Sequence, residues 1–403
     1  MSKALTCLGA GLLAVLASFP SAPLSAQGYE SPPTFSAAKV LPPELLQSPY
    51  HKIVGPVTVQ GFLNRYQMQT KYGTFTVDGT ELLRMRVREV AATAELEKVN
   101  TAKTLVASAG RTALKPVETA KDLVTAPGKT VGEAWKGVGG WFNRVDASMS
   151  ATDPNREGTV ASLTGGSKAR RKLAYDLGVD PYTTFEPLNA ELTRVASASA
   201  VGETGVNIGL AFVTGGAGIA ISVGGTTSTV REVLRDKTAA ELEQLGREKL
   251  AAMGVSPGTV NAFYATGGLT PTDKAVIVAS LMTLGAAGDR EVFIARTAQA
   301  QTYAEGFAYR RKAELTAAFA KRVSPVRSFF NVNGTPVMQT GAGVVAIVPM
   351  DHVYWSPGLA QLVSNTGTQG QIWITGSASQ LATDSLAGRG WKIVPKAGAR
   401  LER

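Results

Sequence analysis

Cysteine is all but absent from this chain: one residue, Cys7, stands in 403. Histidine is nearly as scarce, limited to His51 and His352. A disulfide framework needs more than one thiol, thiolate catalysis and cysteine-ligated metals go if the early Cys7 is cleaved away, and a histidine-based metal site would have to borrow carboxylates. No H-E-x-x-H, no Walker A loop and no G-x-S-x-G elbow occurs. Aromatics make up only 7% of the residues and are not interleaved with basic ones, so nucleic acid is not an expected partner. No cofactor is indicated.

The N-terminus reads as an export signal. Lys3 supplies a short positive region, Ala4 to Phe19 is uncharged and largely apolar, and Leu24-Ser25-Ala26 offers a small-residue cleavage site. Cleavage is expected after Ala26, with Ala22 as the alternative. It would remove Cys7 and Lys3, taking the formal charge from +10 to +9. An exported basic chain suits an anionic lipid or another cell-envelope component, in the periplasm or secreted.

The remainder reads as α+β, mainly α. Residues 27–56 hold six prolines and predict a largely extended lead-in. Residues 57–78 alternate apolar and polar around Lys71-Tyr72-Gly73, predicting a β-hairpin. An amphipathic helix follows over 80–99, its stripe running through Leu82, Leu83, Val87 and Val90, with Arg84, Arg86 and Arg88 mostly off it. Amphipathic repeats extend this region to 145. Residues 150–172 read as a polar linker ending in a basic cluster, and 173–323 as a helical domain. Asp180-Pro181, Ser256-Pro257 and Thr270-Pro271 mark helix starts there, and 289–322 reads as the longest helix. Residues 336–403 read as a small parallel unit of β-α-β-α-β order, with strands at 344–350, 371–375 and 391–394 and a helix over 377–386.

Two segments are unusual. The pattern V-x-x-A-x-x-x-V recurs at Val99, Val117 and Val131, and Thr101–Val106 returns eighteen positions later as Thr119–Val124. This spacing puts the apolar residues on one helical face. Lys103, Lys121 and Lys129 would meet anionic headgroups, with Trp135, Trp141 and Phe142 anchoring in the interface. The alternative is packing against the body of the protein, since a Val-Ala face buries little apolar area. Residues 204–230 carry no charge and are rich in glycine. They read as a closely packed buried helix pair or as a membrane-inserting segment. A dinucleotide loop fails because G-x-G-x-x-G breaks at Ile221.

In the C-terminal unit a ligand belongs beyond the carboxyl ends of the strands. Gly376, Ser377, Ser379 and His352 gather there as an expected anion site at a helix N-terminus. Asp351 adjoins His352, but neighbours on an extended chain point opposite ways, so a triad is not expected. His51 reads as a solvated loop residue. The leading expectation is a non-enzymatic envelope protein that binds a membrane surface or another envelope component through the basic repeat. A periplasmic enzyme or small-ligand binder using the C-terminal unit, and a pore-former, are the alternatives.

Overall fold

The computed structural model describes residues 28–99, 166–200, 228–364 and 367–402. The export signal, the lysine-bearing repeat and nearly all of the glycine-rich segment lie outside these residues. What is described is mixed α and β, with one antiparallel sheet, one mixed sheet and a two-stranded parallel pair.

The N-terminal sheet is a four-stranded meander rather than a single hairpin. It runs β1 (Thr34–Ser36), β2 (His51–Gln60), β3 (Leu63–Thr70) and β4 (Gly73–Asp78), all antiparallel. The β3–β4 turn falls at Lys71-Tyr72. The β2–β3 turn is Gly61-Phe62, with both residues at positive φ (55° and 68°). That is the twist a two-residue hairpin needs, though phenylalanine rarely supplies it. The lead-in is only partly extended. Two four-residue helices, α1 (Ala37–Val40) and α2 (Pro43–Leu46), occupy it, and Pro43 starts α2 where its missing N–H costs nothing. Helix α3 (Thr80–Glu97) lies on the sheet and buries Leu82, Leu83, Val87, Val90 and Leu96.

Helices α4 (Gly166–Leu177) and α5 (Glu186–Ala200) share this core, with Leu173, Phe185, Leu188 and Leu192 packed among Tyr66, Met68 and Val87. The basic cluster therefore belongs to α4, not to a linker, and Arg171 is buried. Asp180-Pro181 does not open α5. The Asp180 carboxylate accepts from the Tyr182 N–H and stabilises a turn, and α5 begins at Glu186.

The helical region continues with α6 (Ser228–Asp236), α7 (Ala239–Ala252), α8 (Pro257–Ala265) and α9 (Pro271–Met282). Ser256 and Thr270 cap α8 and α9 through their side chains. The long helix expected over 289–322 is two, α10 (Arg290–Thr297) and α11 (Tyr303–Arg322). Thr302 and Glu305 form a reciprocal capping box that starts a new helix instead of continuing the old one. Gly306, in its first turn, packs too closely on the Gly268 carbonyl to leave room for a side chain.

The C-terminal sheet has five strands in the order β11-β9-β7-β6-β5. β7 (Gly343–Val348), β9 (Gly370–Ile374) and β11 (Trp391–Val394) are parallel, as the β-α-β-α-β reading expects. Unexpected are β5 (Val326–Val332) and β6 (Thr335–Thr340), which add antiparallel strands and make the sheet mixed. Their turn is Asn333-Gly334, again with φ positive at both positions. Helices α12 (Pro357–Leu362) and α13 (Gln380–Ala387) cover one face, where Ala346, Ile374, Trp391, Leu359 and Leu386 meet. Residues 377–378, expected in the helix, instead pair as β10 with β8 (His352–Val353). The other face packs Val345, Ile347, Trp373 and Val394 against Leu315 and Phe319 of α11 and Leu401 of α14 (Ala397–Leu401). Alternation along each strand thus feeds two cores, and the parallel strands are buried on both sides.

Buried charge joins these units. Arg310 bonds Asp273 at 3.0 Å and Glu314 at 3.2 Å. Arg311 pairs with Glu314, with Glu402 at 2.7 Å and with Glu81 at 3.4 Å. The network spans α3, α9, α11 and the C-terminus. Removing one partner would strand a buried charge at a cost of about 3–5 kcal/mol.

Candidate functional site

A cavity of about 510 Å³ opens where α3, α4, α6, α9 and α11 meet the carboxyl ends of β9 and β11. Thr375 follows β9 and Lys396 follows β11, so the cavity occupies the position where open α/β sheets receive ligands. Its size falls in the usual range of small-molecule sites.

Among the described residues eight cationic side chains line it against five carboxylates. The excess is organised. Arg84 and Arg88 stand one turn apart on α3, and Arg231 and Arg235 stand one turn apart on α6, all four on the cavity. Like charges at this spacing repel, and each pair has one carboxylate beside it, Glu81 at 3.7 Å from Arg84 and Asp236 at 2.8 Å from Arg235. Burial, and after it the nearby Arg84, push Arg88 down to about 10. The Arg231 and Arg235 guanidinium carbons lie 5.0 and 4.9 Å from the Tyr175 ring centroid, so one aromatic ring positions both. Arg231 also donates to the Tyr175 carbonyl at 3.0 Å, and Arg235 forms a fork with Asp236.

The carboxylates on the cavity are largely committed. Glu89 accepts from Arg86 and Thr183, Glu314 from Arg310 and Arg311, and Glu402 from Arg311. The deeper wall is therefore nearly neutral in sum, while Arg231 and Lys396 are exposed at the mouth. Asp180 accepts from Thr272 at 2.6 Å through one oxygen, and its other oxygen has no partner among the described residues. Burial, together with Asp273, pushes Asp180 up to about 6.

The sequence-expected anion site lies elsewhere. His352 Nδ1 and Ser377 Oγ are 2.9 Å apart, side by side in the β8–β10 pair. Ser379 caps α13, and its hydroxyl donates to Glu30 at 2.6 Å. Glu30 also accepts the Trp355 N–H, so the chain's own carboxylate sits at this helix start. Gly376 packs on the Asp351 carbonyl, leaving no room for a side chain. The N–H groups of Gly376, Ser377 and Ser379 are donated to the carbonyls of Met350, Asp351 and Val353. They supply no oxyanion hole to a serine–histidine pair. Asp351 turns away from His352, as the extended backbone requires, and its carboxylate accepts from the Asn64 and Thr80 N–H groups, each at 2.9 Å.

Lys103, Lys121, Lys129, Trp135, Trp141 and Phe142 lie outside the described residues. His51 is buried, not solvated: it bonds the Leu45 carbonyl at 3.0 Å and the Ser48 hydroxyl at 2.7 Å. Sequence reading missed the arginine cavity, although R-x-x-x-R at 84–88 and 231–235 was available as a signal. Among the described residues no helix is long and apolar enough to cross a membrane, and no cluster of three or more His, Cys, Asp or Glu could hold a metal. Comparison with family models, curated proteins and solved structures finds no match.

Proposed function

We propose that this chain is an exported envelope protein that binds an anionic ligand in the arginine-lined cavity, without covalent chemistry. One observation carries the reading: two arginine pairs at i,i+4 on different helices converge on one cavity at the carboxyl ends of the parallel strands β9 and β11. Like charges within each pair repel, an effect that Glu81 beside Arg84 and Asp236 beside Arg235 offset in part and that an anion between the pairs would offset further. Planar guanidinium forks suit carboxylate or phosphate oxygens, and lysine would not match them. In this reading the C-terminal β-α-β-α-β unit frames the ligand, and the helical region forms the opposite wall.

Export rests on the N-terminal sequence, and a membrane-surface role for the 99–138 repeat rests on its lysines and tryptophans. Both belong to the proposal and would bring the cavity near anionic envelope chemistry.

Calorimetric titration with carboxylates and phosphates at two salt concentrations tests the cavity. Binding should weaken as salt rises. Arg84→Ala should weaken it about tenfold or more, the worth of one hydrogen bond to a charged group. Anion binding that Arg84→Ala and Arg231→Ala both leave unchanged would place the site elsewhere and sink the reading.

A further inference from the structure

The cavity walls narrow the ligand class. The cavity lining also holds apolar side chains, Met85 and Val179 part-exposed and Leu234, Val276 and Phe307 buried. An inorganic anion displaces the volume of only a few waters, each about 30 Å³. It would leave most of the 510 Å³ as water against apolar side chains. A polyhydroxylated ligand fits no better. Among the described residues no Asn, Gln, Ser, His or Trp lines the cavity, and Glu81, Glu89, Glu314 and Glu402 already pair with arginines. Few acceptors remain for sugar hydroxyls. Of the two rings among the described lining residues, Tyr175 carries an arginine pair and Phe307 is buried with Arg310 over it.

Resting on the anion-binding reading, we propose that the ligand is a single-chain anionic amphiphile. Its carboxylate or phosphate head meets the arginines of α3 and α6, and its aliphatic chain lies along Met85, Val179 and Leu234 toward Phe307. The head is recognised by charge and fork geometry, and the chain by exclusion of water from an apolar wall. A free fatty acid and a monoacyl phosphate share this chemistry and differ only in the head.

The test is a homologous series. Straight-chain carboxylates and alkyl phosphates of increasing length, each below its micelle concentration, are titrated into the protein by calorimetry. Affinity should rise up to about fourfold per methylene, the worth of burying one CH₂, and level off once the cavity is filled. The head series that binds tighter at equal length identifies the source. Met85→Lys should flatten the length dependence while acetate and inorganic phosphate still bind, and Arg84→Ala should weaken every length by a similar factor. Equal affinity across lengths would overturn the amphiphile and leave the anion reading standing. Equal binding of the corresponding neutral alcohols would overturn it too. If neither short nor long anions bind, the anion reading itself falls.

Discussion

Asp351 gives the sharpest test of how the units are joined. Helix α3 begins after Gly79, which has φ +97° and no side chain with which to cap it. The missing cap comes from 271 residues away: Asp351 Oδ2 accepts the Thr80 N–H and also the Asn64 N–H. Asp351→Ala leaves both donors without their acceptor. Loss of a cap costs about 0.5–2 kcal/mol, and a buried unsatisfied N–H about 1–3 kcal/mol. A total near 2–4 kcal/mol is expected. Asp351→Asn keeps an acceptor oxygen and should retain most of that. The two variants also separate charge from geometry. Burial raises the Asp351 carboxyl from 3.8 to about 6. A raised folded-state value means that its contribution is fully present below pH 3.8 and is lost as pH rises through 6. The ceiling on that loss is about 3 kcal/mol, and partial solvent contact of the residue brings the expectation nearer 1–2 kcal/mol. Urea unfolding followed by tryptophan fluorescence at pH 4.5, 6 and 8 measures it. Asp351→Asn should match the native protein at pH 4.5 and exceed it at pH 8, while Asp351→Ala stays below Asp351→Asn throughout. Equal stability of the Asn and Ala variants would refute the capping role. A native protein that gains on Asp351→Asn as pH rises would refute the burial argument.

Other expectations follow from the same packing. Gly306→Ala would place a methyl 1.9 Å from the Gly268 carbonyl, so backbone must move, and a loss of about 3 kcal/mol or more should appear in calorimetric melting. Glu30→Ala frees the Trp355 N–H and the Ser379 hydroxyl, and about 1–3 kcal/mol should go in urea titrations while Glu30→Gln recovers part of it. His51 donates from Nε2 to a carbonyl, so its neutral ring accepts at Nδ1 from Ser48. Burial holds it below 6.5, so stability present above that pH is lost as the unfolded chain takes up its proton below it. In His51→Gln the slope of stability against pH between 5 and 7 should be shallower, and an unchanged slope would exclude His51 as its source.

Much of the secondary structure was legible because its causes are local. Ser256-Pro257 and Thr270-Pro271 mark helices α8 and α9, whose caps lie within three residues of their starts. The parallel strands β7, β9 and β11 are short apolar runs separated by helix-length segments. Asn333-Gly334 was an equally local hairpin signal that went unread, and with it β5 and β6. The Gly61-Phe62 turn was not legible in that way. Its strained φ at Phe62 goes with a carbonyl that accepts the N–H groups of Asp351 and His352. The expected anion site failed to anticipate Glu30 because a carboxylate 346 positions before Gly376 leaves no trace in local pattern.

What the amino-acid order determined here is periodicity, capping and turn chemistry, together with the scarcity of thiol and imidazole, since each depends on residues a few positions apart. Only the tertiary fold decided which charges face each other. It joined Glu81, Arg311 and Glu402 in one network, sent Asp351 to cap α3, and turned two arginine pairs from separate helices onto a common cavity. Electrostatic energy depends on distance and burial in space, and separation along the chain carries neither.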